Sequence, residues 1–358
     1  CDSRGTALAA IRSCAFVLFC SLVTHTAVAA PPDHFVTTWK TDNPGSSNST
    51  SITVPMVGGL YDIDWDNDGT FDQFGRSGMT THDYGVAGIK TIRIRGNYNS
   101  IRFAAISDSR KLLSIDQWGT NAWTSMENAF YGARDLEVPA TDTPDFSSVT
   151  SMAGMFSGAR KANPDTSAWD TSSVKNMAAM FSGARKANPD TSSWNTAAVT
   201  DMSYMFSSAS IANPDTSAWD TSAVKNMKGM FQGANLATPD TRLWNTSKVT
   251  DMSAMFNYAF SANPDTSGWD TTMVTDMSDM FQGATTASPD TADWNTASVT
   301  DMSYMFKGAS SADPDTSGWN TSAVTTMAAM FWESSANPDT GNWNTATVTN
   351  MFRMFSDA

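Results

Sequence analysis

Apolar residues return at a fixed interval along the C-terminal two-thirds of the chain. Trp169, Trp194, Trp219, Trp244, Trp269, Trp294 and Trp319 are each 25 residues apart, and Trp343 follows after 24. Val keeps the same beat from Val174 to Val348, and so does Met from Met177 to Met351. Phe closes each unit from Phe156 to Phe355. One full unit reads W-N-T-A-S-V-T-D-M-S-Y-M-F, Trp294 to Phe306. A period of this size is the signature of a stacked-repeat architecture.

Within one unit, Asn188-Pro189-Asp190-Thr191 is a turn, because Pro presets φ and Asn and Asp bond the local backbone. Trp194 and Thr196 alternate with Asn195, which predicts a very short strand. Thr191, Trp194, Thr196 and Val199 fit the spacing of leucine-rich repeats. Val199, Met202, Met205, Phe206 and Ala209 fall three to four apart, which predicts one stripe of a short helix, with Thr200 and Asp201 at its start. The expected fold is therefore an α/β solenoid of about 25-residue leucine-rich-repeat-like coils, with a short strand plus a short helix per coil. Neither element is stable alone. Stacking would bury a Trp ladder, a Phe ladder and two Met ladders, each large side chain contributing roughly 1.5–3 kcal/mol.

Upstream the pattern changes. Ile52-Thr53-Val54, Tyr61 to Trp65 and Lys90 to Arg95 alternate with period 2, as in a small Ig-like β-sandwich. In Lys90 to Arg95 the apolar face should be buried and the basic face solvated. The expected order is a signal peptide at 1–30, a linker at 31–50, the sandwich at 51–96, a linker at 97–111 and the solenoid at 112–358. Arg4 and Arg12, the apolar run from Ala15 to Val23 and Ala27-Val28-Ala29 carry the leader reading. Trp118, Trp123, Met126 and Phe130 open a degenerate first coil. A second has Pro144 in place of Trp, giving about ten coils. The chain stops inside a repeat, at Phe355 to Ala358, and the solenoid is read as C-terminally truncated.

Composition narrows the partners. Asp and Glu number 36 against 22 Lys and Arg, a net charge of −14, so a nucleic-acid backbone is excluded as partner. Only three residues are Glu (Glu127, Glu137, Glu333), so nearly all the acidity sits in Asp, a turn and cap residue. Cys1, Cys14 and Cys20 lie in the leader, leaving no disulfide framework. The array contains neither His nor Cys, so no nucleophile–base pair is available there and no enzyme activity is expected.

The segments Trp65 to Thr70 and His82 to Ile92 resemble the polycystic-kidney-disease-type domain, which implies an extracellular, non-catalytic β-sandwich. Trp219 to Phe231, W-D-T-S-A-V-K-N-M-K-G-M-F, resembles the BspA-like bacterial surface-protein repeat over roughly residues 112–358. That resemblance implies a leucine-rich-repeat solenoid at the cell surface, adhesion, and an extracellular protein or glycan partner. One departure stands out. Thr191 and Ala187 and their copies stand where the family carries bulky apolar residues, so the core there should be thinner or replaced by a Thr hydrogen-bond ladder.

Candidate sites follow from the rows that stacking would create. Asp170, Asn195, Asp220, Asn245, Asp270 and Asn295 alternate charge with a neutral isostere on the strand face, and are the expected ligand-binding row. The row Asp165, Asp190, Asp215, Asp240 and onward is charged in every coil. At a rise of about 4.8 Å neighbours repel by roughly 1 kcal/mol in water, so turn hydrogen bonds or cations must hold them. Asp64, Asp66, Asp68 and Asp72 form D-x-D-x-D-G with a nearby carboxylate, an oxygen set suited to calcium although the position-12 Glu of an EF-hand is missing. The alternative is an Asp-rich hairpin turn. Arg160, Lys161, Arg185 and Lys186 form a basic cluster at an otherwise variable coil corner. The leading expectation is a non-catalytic secreted or surface binding protein needing no cofactor. The alternatives are a structural spacer and a binder of a regular surface such as ice, through the Thr166 and Thr171 rows.

Overall fold

The computed structural model describes residues 32–103 and 108–358, so the expected leader lies outside the described residues. Eight strands build the N-terminal part: β1 (Phe35–Lys40), β2 (Ser51–Val57), β3 (Leu60–Asp64), β4 (Gln73–Arg76), β5 (Met79–Asp83), β6 (Ile89–Asn97), β7 (Ser100–Ile101) and β8 (Leu112–Gln117). They form a five-stranded sheet ordered β4-β3-β6-β1-β8 and a three-stranded sheet ordered β5-β2-β7, with antiparallel pairing. Alternation drives the arrangement: Trp39, Ile52, Val54, Ile63, Ile92 and Ile94 enter one buried core. Phe35–Lys40, which the sequence suggested as part of a linker, pairs with both β6 and β8. Arg93 departs from the expected solvated face. It is 2% exposed, with its guanidinium 3.7 Å from Asp64 and donating to the Asn67 side chain and carbonyl.

A second buried charge ties the long β1–β2 connection down. Lys111 Nζ donates to the carbonyls of Ser47, Asn48 and Ser51 at 3.1, 2.7 and 2.9 Å. Burial pulls the Lys111 pKa down, against the opposing pull of Asp108. Burial would by itself raise the Asp108 pKa, but bonds from Ser47 and the Lys111 charge hold it below the ordinary range. Both charges are fully buried, and each is satisfied by fixed dipoles as well as by its partner.

β8 belongs to two structures at once. It pairs antiparallel with β1, while Ser114 bridges in parallel to Glu137 of the first coil. Trp118 and Trp123 pack against Phe35 at 6.2 and 5.3 Å, and Asn121 exchanges bonds with the Tyr98 backbone. The sandwich therefore covers the apolar end of the array, a role that terminal caps fill in solenoids.

The coils stack, but the helix predicted for each is not there. The α/β solenoid expectation fails: the described residues are almost entirely β and turn, and their sole helical element is the 3-10 turn Asp108–Lys111. In one coil Met205 N–H bonds Met202 C=O, and Ala209 N–H bonds Phe206 C=O, two closed turns in succession. The third residue of each turn is left-handed: Tyr204 at φ 55° and Ser208 at φ 57°. That is the conformation a type II turn requires at this position. Left-handed residues recur in register at Ala179 and Gly183, Gly229 and Gly233, Ala254 and Tyr258, and Asp279 and Gly283. A single left-handed residue ends an α-helix, so none can propagate here. The three-to-four spacing of Met and Phe is common to a helix and to consecutive turns, and this is why the sequence misled.

The left-handed conformation costs roughly 1–2 kcal/mol for a non-Gly residue. What offsets it is the direction the N–H then takes. Tyr204 N–H reaches Lys228 C=O at 2.7 Å, Ser208 N–H reaches Gln232 C=O at 2.6 Å, and Met202 and Phe206 N–H reach Asn226 and Met230 C=O. The stretch predicted to be helical is thus the part where neighbouring coils exchange backbone hydrogen bonds. Its parallel bridges run Ser151, Asn176, Asp201, Asn226, Asp251 and on to Asn350. The Trp-Asn-Thr stretch predicted as strand forms no such ladder. There the Thr hydroxyl stands in: Thr171 Oγ1 donates to Asn195 C=O at 3.0 Å and accepts Asn195 N–H at 2.9 Å. Thr191 Oγ1 likewise donates to Asp215 C=O at 2.6 Å.

Side chains then meet their own copies. Trp219 lies 6.5 Å from Trp194 and 6.4 Å from Trp244 with rings within 3° of parallel, and all three are buried. Phe206 stacks between Phe181 and Phe231 at 5.8 and 5.7 Å. In the coil with Pro144 at the Trp position, Phe146 fills the space edge-on against Trp169 at 5.0 Å. The indole N–H adds little, because among the described residues of the array only Trp194 and Trp319 reach a carbonyl, at 3.3 and 3.4 Å.

Ala254 sits at φ 54° in a turn of this kind. Ala254→Gly is expected to raise stability by about 1 kcal/mol in urea unfolding, since Gly bears no left-handed penalty. A helical coil would respond with a loss of about the same size. A measured loss would therefore overturn the turn assignment.

Candidate functional site

Asp170, Asn195, Asp220, Asn245, Asp270 and Asn295 all lie exposed on successive coils, as the expected binding row requires. Each side-chain oxygen also closes a turn, accepting the N–H two residues on: Ser172 at 2.9 Å, Ala197 at 3.1 Å, Ser222 at 2.9 Å and Ser247 at 3.1 Å. The Asp carboxyls at 170, 220 and 270 are held below the ordinary range by the hydroxyl and N–H of the residue two on. Their row presents fixed anionic groups separated by neutral amides.

The fully charged row is held the same way. Ser167, Ser192 and Ser217 each give N–H and Oγ–H to the Asp two residues earlier, at 3.0 Å and 2.6–2.7 Å. Arg242 replaces Ser in one coil and forks onto Asp240. The Asp190 carboxyl stays below its ordinary value because these bonds outweigh repulsion from Asp165 and Asp215. The two Thr rows do not reach the surface. Thr166, Thr171, Thr191 and Thr196 are buried, their hydroxyls turned to the next coil's carbonyls, so these rows offer no flat face to an ordered surface such as ice.

In the sandwich, three of the four candidate calcium ligands converge. Oxygens of Asp64, Asp66 and Asp72 lie within 4.8 Å of one another, with Asp64 buried. Asp68 turns away to accept Thr70 N–H at 2.7 Å. The others have work inside the loop: Asp64 accepts Gly69 N–H at 2.9 Å and faces Arg93, and Asp72 accepts Trp65 N–H at 2.7 Å. Three oxygens are half of what calcium takes, and water or backbone would have to supply the rest. Desolvation first, then the Asp68 charge, pushes the Asp66 carboxyl above its ordinary pKa.

Sequence reading missed what adjoins this loop. Trp65 stacks on His82 at 4.8 Å, and Tyr84 stands edge-on to His82 at 4.5 Å. With Asp66, Asp72 and Gln73 these rings line a cleft of about 310 Å³. Burial lowers the His82 pKa and raises that of Tyr84, whose hydroxyl donates to Trp65 C=O at 2.9 Å. The signal was present in the alternation His82-x-Tyr84, which carries both rings from the end of β5 toward Trp65. Sequence reading also missed Arg134, the first rung of the basic row continued by Arg160 and Arg185. The unequal lengths of the first coils hide it.

Two pH-linked outcomes follow. The array Asp carboxyls have folded-state pKa values below their unfolded ones. The stability they supply is present above about pH 4 and is lost as pH falls through the folded values. Urea midpoints should be flat from pH 7 to 5 and drop below 4; a midpoint that rises there would mean repulsion dominates. Asp66 has the opposite sign, because its raised pKa makes the charged form unfavourable in the fold. In EDTA, Asp66→Asn should melt higher than the wild type at pH 7, a gain that disappears below about pH 4. With millimolar calcium, a rise for the wild type alone would mark three-carboxylate coordination, and unchanged curves would leave only the turn role.

No helix among the described residues is long and apolar enough to cross a membrane. No curated protein and no solved structure matches the chain. The family described as "Mycoplasma protein of unknown function, DUF285" matches at residues 101–217, 186–293, 208–315 and 260–358. Successive matches overlap, as a tandem repeat would make them, and together they take in every coil. With well over half of its length matched, this chain belongs to the DUF285 repeat family.

Proposed function

We propose that the protein is a non-catalytic binding protein of the BspA-like surface type, secreted or held at the cell surface, which presents its coil array to an extracellular protein or glycan. The N-terminal sandwich, on this reading a polycystic-kidney-disease-type domain, serves as cap and spacer. The observation that carries the proposal is the contrast between core and surface. From the coil of Trp169 to that of Trp319, Trp, Met, Phe, Val and Thr are repeated and buried, whereas some exposed positions on the same frame differ from coil to coil, as Lys186, Ile211, Leu236 and Thr286 do. A frame of this kind holds ligand groups at fixed spacing without a binding-time ordering cost. The Asp170-to-Asn295 row is the favoured contact, because its oxygens are fixed by turns and exposed. On this reading calcium belongs to the Asp64, Asp66 and Asp72 loop and not to the array.

A spacer without a specific ligand is the competing reading, favoured by the unbroken backbone bonding along the coils. The two part in a binding experiment. The full chain would be screened against a glycan array and a panel of purified extracellular-matrix proteins. The triple substitution Asp170→Asn, Asp220→Asn and Asp270→Asn keeps each turn acceptor and removes three charges. It should weaken a captured partner by about tenfold or more, one or more charge-assisted contacts being lost. Absence of any partner in both panels would favour the spacer, and a partner indifferent to the triple variant would move the site elsewhere.

A further inference from the structure

The coil corner that follows each buried Ala carries two side chains that the fold does not need. In the last coils those positions hold hydroxyls that bond the coil below, Thr286 Oγ1 to Phe260 C=O at 2.8 Å and Ser335 Oγ to Ser310 C=O at 2.5 Å, while Ile211, Leu236 and Phe260 stand exposed there in the middle coils. In the first three coils the same rows hold Arg134, then Arg160 and Lys161, then Arg185 and Lys186. These basic residues are exposed, except that Lys161 pairs with Asp135 at 3.1 Å. Backbone bonding keeps the corners in register, with Lys186 N–H donating to Arg160 C=O at 3.1 Å. Three Arg residues therefore follow one another at the coil spacing of about 4.8 Å. They interact repulsively, and Arg134 and then Arg185 pull the Arg160 pKa below its ordinary value. Among the described residues Arg134, Arg160 and Arg185 have no acidic partner within ion-pair distance.

A like-charged ladder that takes the place of self-bonding hydroxyls weakens the array locally, and in a chain of net charge −14 it is not part of a general basic character. We propose that Arg134, Arg160 and Arg185, with Lys186, form a binding ridge for a linear anionic polysaccharide whose sulfate or carboxylate groups follow one another along the coil axis. Guanidinium forks suit such oxyanions in bidentate geometry. The exposed Asp rows repel a polyanion from other faces, so it is directed to this ridge. The inference rests on the reading of the chain as an extracellular binder and names a second site, distinct from the Asp170-to-Asn295 row.

The test uses the full chain and dextran sulfate, with uncharged dextran, polyphosphate and polyglutamate alongside, by titration calorimetry at low and physiological salt. Dextran sulfate should bind, weaken as salt rises, and have no counterpart in uncharged dextran. Arg160→Ser with Arg185→Ser places at both corners the residue that Ser210 supplies in the next coil, so the fold should hold, as an unchanged melting curve would verify. The double variant should bind about a hundredfold more weakly, tenfold for each fork removed. The triple Asp→Asn variant described above should bind dextran sulfate at least as well as the wild type. Equal binding by the double variant, equal binding of uncharged dextran, or binding of polyphosphate or polyglutamate without dextran sulfate would each overturn the proposal. A captured extracellular partner indifferent to the triple Asp→Asn variant, with dextran sulfate binding intact, would count against the earlier site alone.

Discussion

Hydrogen bonding between coils at a single repeat distance is the constraint on which the rest depends. Every 25 residues the chain must return to the same place, one strand spacing further on, with donors facing acceptors. Three devices meet that demand in three parts of the coil. The backbone alone does so at Asp201 and its copies, left-handed turn residues at Tyr204 and Ser208, and Thr hydroxyls at Thr191 and Thr196. Once the register is set, identical side chains have no freedom but to stack, and the Trp and Phe ladders follow.

That order of cause explains the core composition. A coil of turns has no long amphipathic face, so its apolar groups must fill a narrow interior whose width is nearly constant. Flat rings stacked within a few degrees of parallel fit such a space, and Met fills what remains. Bulky aliphatic residues are missing where Thr191 and Ala187 stand, because there a hydroxyl must reach the next coil and the backbone lies close. The sequence suggested two outcomes at that place, a thin core or a Thr ladder, and both occur: Ala187 is fully buried beside the hydroxyl row.

Much of this was legible in the sequence, and the part that was not has a physical cause. The 25-residue period announced the stacking of Trp219 on Trp194, the burial of Met and Phe, and the exposure of Asp170 and Asn195. The secondary structure was not legible, because M-S-Y-M-F spaces its apolar residues identically in a helix and in two consecutive turns. Gly at 154, 183, 229, 233, 283 and 308 carried the missing information, since Gly recurring inside a predicted helix argues against it. Where Tyr204 or Ala254 takes the same position, that signal vanishes. In the sandwich, alternation placed Ile92 and Ile94 correctly. It failed for Arg93, whose burial depends on Asp64 at the end of β3 and Asn67 in the loop that follows it. D-x-D-x-D-G placed Asp66 beside Asp64 correctly but also Asp68, which turns away while Asp72 from outside the motif takes its place, and the rings of Trp65, His82 and Tyr84 are brought together only because the ends of β3 and β5 meet across the two sheets.

A frame fixed in this way separates stability from recognition. The Asp rows show how far the separation goes. Carboxylates one coil apart would repel, yet each is tied to the Ser or N–H two residues on, and the net effect in Asp190 and Asp215 is stabilisation of the charged form. Charge can therefore be written on the surface of the array without disturbing the interior, provided each coil closes its own turn. The Arg134, Arg160 and Arg185 row obeys the same rule in reverse: it gives up an inter-coil hydroxyl bond and leaves the ladders beneath it intact. A coil can exchange one such residue for another and keep its register, and this is the property a repeat protein needs if its surface is to change partner while its fold stays the same.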